Sequence, residues 1–130
     1  MFEDVISWEN LNALVLREFP ALLRDDLIEK IGGFEWEPGP YTIFGTMFNQ
    51  HIRETVRREV DEQSKIGAFL ERMAESGVVN IEELLQLEVL PTLVEDQGTL
   101  DAYWPYLGTH TRRLISLIAP RVAPSIVLPT

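Results

Sequence analysis

Apolar residues recur at three- and four-residue spacing along nearly all of this chain, and no stretch alternates apolar with polar side chains. That period points to helices. A stripe repeating about every 3.6 residues gathers on one face of a helix but scatters over both faces of a strand.

The first helix is predicted to begin near Ser7 and to carry Leu11, Leu14, Val15, Glu18 and Phe19. Pro20 suits the first turn of a second helix, where its missing N–H would have no intrahelical acceptor. That helix has the stripe Leu22, Leu23, Leu27, Ile28 and Ile31, and Gly32-Gly33 supply a left-handed stop. Phe34 to Pro40 reads as a loop. A long third helix is expected from Tyr41 to Asp61, with Ile43, Phe44, Met47, Phe48, Ile52, Val56 and Val60 inward.

Ser64 would cap a fourth helix, containing Ile66, Phe69, Leu70 and Met73 and ending at Gly77. Asn80 and Glu83 form a capping-box variant opening a fifth, which Pro91 is expected to kink or break. Residues 96–108 read as irregular. Thr109 would cap a sixth helix through Leu114, Ile115, Leu117 and Ile118, ended by Pro120 and followed by an extended tail over 120–130. Short connections favour antiparallel neighbours. The expectation is one all-α domain over 1–130, a compact antiparallel bundle of about six helices, with stacked HEAT-like helical hairpins as a variant. Leu84 to Asp96 resembles a HEAT-type helix with its proline kink.

Charge is segregated along this pattern. The 39 residues between Arg72 and Arg112 hold no Lys or Arg, but they contain Glu75, Glu82, Glu83, Glu88, Glu95, Asp96 and Asp101. Arg112, Arg113 and Arg121 follow, with no acid after them. A net charge of −10 repels nucleic acid and anionic lipid, and it draws in a cationic protein and speeds its association. No apolar run approaches the roughly 18–20 residues that span a bilayer. The chain has no cysteine, and its acidic start, MFEDVISWEN, lacks the basic and apolar regions of a signal peptide. A cytoplasmic protein is therefore expected.

Two polar residues fall where hydrophobes belong. On a wheel of about 100° per residue, His51 lies within the arc of Phe44, Met47, Phe48 and Ile52, with Thr55 and Glu59 continuing the seam. Glu88 falls between Leu84 and Leu85. A buried carboxylate needs a donor, a proton or a wet groove, and Arg112 and Arg113 are the expected donors. An acid–base or metal site built from His51, Glu59 and Glu88 lacks ligands: no paired Glu-x-x-His elements and no H-E-x-x-H are present. A structural role for a core histidine and a buried ion pair is expected instead. The chain also has no cysteine nucleophile, no G-x-S-x-G elbow and no Gly-rich phosphate loop. No catalytic residue, metal or cofactor is assigned.

Binding is the better expectation. Glu82 and Glu83 suit the first turn of a helix, where acids favour the macrodipole. Glu95, Asp96 and Asp101 lie past the proline and lack that explanation. Beside them are Tyr103, Trp104 and Tyr106, and Trp36 sits in the Pro/Gly loop. Aromatic anchors with steering charges are the composition of protein-binding hot spots. The expected contact residues are Glu95, Asp96, Asp101, Tyr103, Trp104 and Trp36, facing a basic protein partner.

The segments Phe69-Leu70-Glu71-Arg72-Met73, Leu87-Glu88-Val89-Leu90 and Leu107-Gly108-Thr109-His110-Thr111-Arg112 are similar to small all-helical bacterial proteins, some of them immunity proteins. The resemblance implies a stoichiometric inhibitor that occludes a toxin domain. The alternatives are an acidic DNA mimic regulating a nucleic-acid-binding protein, and a small metal-binding or acid–base enzyme using His51 and Glu88.

Overall fold

The computed structural model describes residues 5–34, 37–56 and 59–129, and these are all-helical. Helix α1, Leu11–Glu18, buries Leu11, Leu14 and Val15. Its entry is tied by a reciprocal pair: the Ser7 N–H donates to Asn10 Oδ1 at 2.8 Å, and the Asn10 N–H donates to Ser7 Oγ at 3.2 Å. A 3₁₀ turn at Pro20–Leu23 leads into α2, Asp25–Lys30, with two acids in its first turn and a lysine in its last. Gly32 and Gly33, at φ of 80° and 82°, then reverse the chain as expected.

Helix α3 covers 40–55 and opens on Pro40. Its middle, Ile43–Phe48, is a π-helical turn between α-helical ends. Helix α4 is Val60–Ala74. Helix α5 covers 79–93 and again contains a π-helical turn, Leu85–Val89. The two widened turns pack against each other. There the Asn49 amide donates to the Glu88 carbonyl at 2.9 Å. Helix α6 is Gln97–Tyr103, continued by a 3₁₀ turn at Trp104–Tyr106, and α7 is Thr109–Val122.

The core gathers most of the predicted stripes, but Leu23, Val60 and Leu117 of those stripes are exposed. Phe19 from the start of the chain meets Phe48 of α3 and Phe69 of α4 at centroid separations of 5.4 and 5.6 Å, and Phe44 lies 5.1 Å from Phe48. Such edge-on and tilted pairs add to area burial because ring edges are positive and faces negative. Lys65 lays its ammonium 5.0 Å from the Phe19 centroid and closes that end.

Helices α4 and α7 approach closely because two glycines allow it. A Cβ on Gly67 would sit on the Tyr106 carbonyl, and one on Gly108 would sit on the Glu71 carboxylate. That carboxylate, reaching across from α4, caps α7. It accepts the Thr111 N–H at 2.9 Å, the Thr111 hydroxyl at 2.8 Å and the His110 N–H at 3.1 Å. Burial pushes the Glu71 carboxyl up, but these bonds and the His110 ring outweigh it, holding the group below the usual carboxylate range.

Several boundaries differ from expectation. Helix α3 ends at Thr55, well short of Asp61, and α4 starts at Val60, so Ser64 lies inside a helix and caps nothing. Asn80 likewise falls inside α5, whose N-cap position is Val78. Pro91 does not break α5. The π turn immediately before it widens the helix where the proline ring would otherwise crowd the preceding carbonyls, and the helix continues to Leu93. Residues 96–108 are mostly ordered helix, because Asp96 supplies a cap that the irregular reading overlooked. Pro120 lies within α7, which runs on to Val122. The remaining tail is non-helical and returns Ala123, Ile126 and Leu128 to the core.

Candidate functional site

The acids past Pro91 sit at the corner between α5 and α6. Asp96 is the N-cap of α6: its Oδ1 accepts the Thr99 N–H at 2.7 Å and its Oδ2 accepts the Thr99 hydroxyl at 3.0 Å. Glu95 is bridged by Arg53 of α3, whose Nε and Nη2 lie 3.1 to 3.2 Å from its oxygens. Asp101 accepts from the Gln97 amide at 3.0 Å, one turn away. Gln97 also pairs with Val127 in both directions, at 2.7 and 2.9 Å, and so clamps the tail beside α6. All three acids remain exposed.

Glu95 and Asp96 form a ridge between two open clefts. One, of about 490 Å³, is walled by Pro91 of α5 and Val94 just past its end, by Val122 at the end of α7, and by Ala123 and Ile126 of the tail. The other, of about 320 Å³, lies between Arg53, Val56 and Thr99. The ridge therefore offers carboxylates on both flanks, and the larger cleft places apolar side chains beside them. A cationic group with an aliphatic stem matches that surface, since its charge meets the ridge while its stem covers the wall.

The aromatic half of the expectation is corrected. Tyr103 has no exposure at all. Its hydroxyl donates to the Ile52 carbonyl at 2.9 Å and meets the Thr55 hydroxyl, so it belongs to the core and cannot touch a partner. Helical ordering of α6 is the reason, because it turns Tyr103 and Leu100 inward while Asp101 faces out. Trp104 is half-buried: the Arg112 guanidinium stands 4.8 Å from its ring, and Arg112 Nη2 donates to its carbonyl at 2.7 Å. Trp36 lies outside the described residues.

Arg112 is thereby committed to Trp104, not to Glu88 as expected. The Glu88 carboxylate instead rests against Gly45, in the gap between the two π turns, and it is only partly buried. His51 is a core residue with 5% exposure. Its Nε2 lies 2.7 Å from Glu62 Oε2, and its ring meets the edge of Phe19. Glu59, which was expected to share the seam, is exposed beyond the end of α3. His51 is thus engaged by Glu62 and Glu88 lies at the π turns, while Glu59 is exposed.

Sequence reasoning missed Arg53, Gln97 and Glu71. Arg53 and Gln97 are polar residues on helix faces with no motif around them, so no signal marked them. For Glu71 a faint signal existed: Gly108 precedes a helix, opening at Thr109, that has no acid in its first turn.

Residues 12–118 match a family model described as a domain of unknown function, DUF7674. The chain belongs to that family. Comparison with curated proteins and with solved structures gives no match. The DUF7674 match runs from the second residue of α1 into the last part of α7. It includes the Glu95–Asp96 ridge but not the tail that walls the larger cleft. No helix among the described residues is long and apolar enough to cross a membrane.

Proposed function

We propose that this protein is a cytoplasmic, non-catalytic binding protein of the immunity type. It receives a basic toxin domain on the ridge formed by Glu95 and Asp96, with Asp101 beside it, and occludes that domain's working surface. The observation that carries the reading is the ridge itself. Two exposed carboxylates stand between open clefts, one with apolar walls, on a chain of net charge −10. The bonds to Arg53 and Thr99 are compatible with this role, because they hold the carboxylates in place before a partner arrives and reduce the ordering cost on binding. Trp104 belongs at the margin of the contact, and the steering comes from charge.

The test is co-expression with a toxin domain encoded beside the gene. Growth should be rescued, and purified complexes should have a 1:1 ratio. Failure of rescue with every neighbouring toxin-like domain would sink the immunity reading. The placement of the interface is tested separately. Reversing Glu95 and Asp101 to Lys should slow association by about tenfold or more at low salt, with a smaller effect on release. Asp96 is left intact in this variant because it caps α6. Unchanged, salt-independent association rates would place the interface elsewhere.

A further inference from the structure

Glu71 and Glu75 lie one turn apart on α4, and the first turn of α7 brings His110 up to both. His110 Nδ1 is 2.7 Å from Glu71 Oε2 and 3.9 Å from Glu75 Oε2. One ligating atom from each of the three residues lies within 4.8 Å of the other two. The three come from two helices whose approach is set independently, by the close passage of Gly67 beneath Tyr106 and by Thr111 on Glu71. Glu71 is oriented through its other oxygen, Oε1, which takes both Thr111 bonds. Metal-ligating carboxylates are commonly oriented by outer hydrogen bonds of this kind.

We propose that Glu71, Glu75 and His110 form a binding site for a divalent transition-metal ion, most simply Zn²⁺, with solvent completing the coordination. One imidazole and two carboxylates form a donor set of the zinc type, whereas Mg²⁺ and Ca²⁺ favour all-oxygen sets. Tetrahedral ligands at about 2.0–2.1 Å from an ion stand about 3.3 Å from one another. The two distances from Nδ1 bracket that value, so rotations of the exposed His110 and Glu75 side chains reach it without moving either helix. In the bound state His110 ligates as the neutral imidazole, with Nδ1 giving its lone pair to the ion and Nε2 keeping the ring proton, and the ion stands between Nδ1 and Glu71 Oε2. The His110 N–H stays on that oxygen and Thr111 stays on Oε1. The site is separate from the Glu95–Asp96 ridge and does not rest on the proposed function.

The test is a Zn²⁺ titration of the tag-free full chain by calorimetry, with thermal unfolding followed in parallel. The expected result is saturable binding of one ion per chain and a rise in Tm, with no such response to Mg²⁺. His110→Ala and Glu75→Gln alter exposed side chains and should retain the wild-type circular dichroism. Each should weaken Zn²⁺ binding at least tenfold and abolish the Tm rise. A Co²⁺ titration should give visible absorption bands in the wild type that both variants lose. The absence of saturable binding in the wild type overturns the proposal. So does Zn²⁺ binding of equal strength in the wild type and both variants, which would reflect scattered surface acids.

Discussion

The Tyr103 hydroxyl donates to the main-chain carbonyl of Ile52 at 2.9 Å, joining α6 to α3 through the middle of the core. The same hydroxyl meets Thr55, whose own Oγ1 reaches the His51 carbonyl at 2.9 Å. Removing only the oxygen keeps the ring packing and strands its partners. Tyr103→Phe should therefore cost about 1–3 kcal/mol, the usual range for an unmet buried polar group, as read from urea unfolding at neutral pH.

That hydroxyl also gives the fold an alkaline limit. Burial pushes the phenol from 10.0 up to about 12, against the lowering effect of the Thr55 bond. The folded value lies above the unfolded one, so the contribution is fully present below pH 10 and is lost as pH rises towards 12. Unfolding free energy should fall across that window in the wild type and fall less in Tyr103→Phe. Parallel curves would show that another group sets the limit.

At the acid end the relevant pair is Arg24 with Glu54. The guanidinium forks onto both carboxylate oxygens, at 2.6 and 2.7 Å, and holds Glu54 at about 2 although burial opposes this. Here the folded value is depressed. The contribution is present above the unfolded value near 4.5 and is lost as pH falls towards 2. Because both side chains are more than a third solvent-accessible or close to it, the effect should be below about 1 kcal/mol. Glu54→Gln should be slightly less stable than the wild type at pH 7, and the two should converge near pH 2.

Gly67→Ala separates packing from propensity. In an unencumbered helix this change gains up to about 1 kcal/mol. Here the new methyl would meet the Tyr106 carbonyl, which is backbone and cannot rotate away. A net loss of about 2–3 kcal/mol is expected, since α4 and the 104–106 turn must move apart. Thermal unfolding decides the matter, and a rise in Tm would contradict the close contact.

Glu71→Ala should destabilise the fold by about 1–3 kcal/mol, because it uncaps α7 and leaves the Thr111 N–H and hydroxyl without an acceptor. Glu71→Gln should recover part of this loss through its carbonyl oxygen. Hydrogen exchange at Thr111 reports the effect locally: its amide should exchange faster in the alanine variant than in the glutamine variant.

The helical class and most of the core could be read from the sequence, because each stripe is a local property of its own helix. Phe44, Met47, Phe48 and Ile52 face inward as their spacing required. The boundaries were harder to read. Ser64 and Asn80 are good caps in isolation, but both lie inside helices: the α4 start is fixed by Gln63 bonds to the end of α3, and α5 begins one residue before Asn80. The candidate site was legible in part. Glu95, Asp96 and Asp101 are exposed neighbours, whereas Tyr103 became core once Asp96 capped a helix beneath it. The partners that orient these acids, Arg53 and Gln97, come from helix packing and from the returning tail, neither of which leaves a local signature.

The facing widened turns of α3 and α5 constrain how this family can change. A π turn accommodates one extra residue, so deleting a residue there closes it to an α turn and keeps the helix beyond in register, whereas a deletion elsewhere in the helix rotates everything beyond it by about 100°. Because the two turns nest against each other through Asn49 and Glu88, a single-residue deletion in one leaves the other without its counterpart. Length changes at these two places should therefore occur together among relatives, a signature that survives even where no side chain is shared.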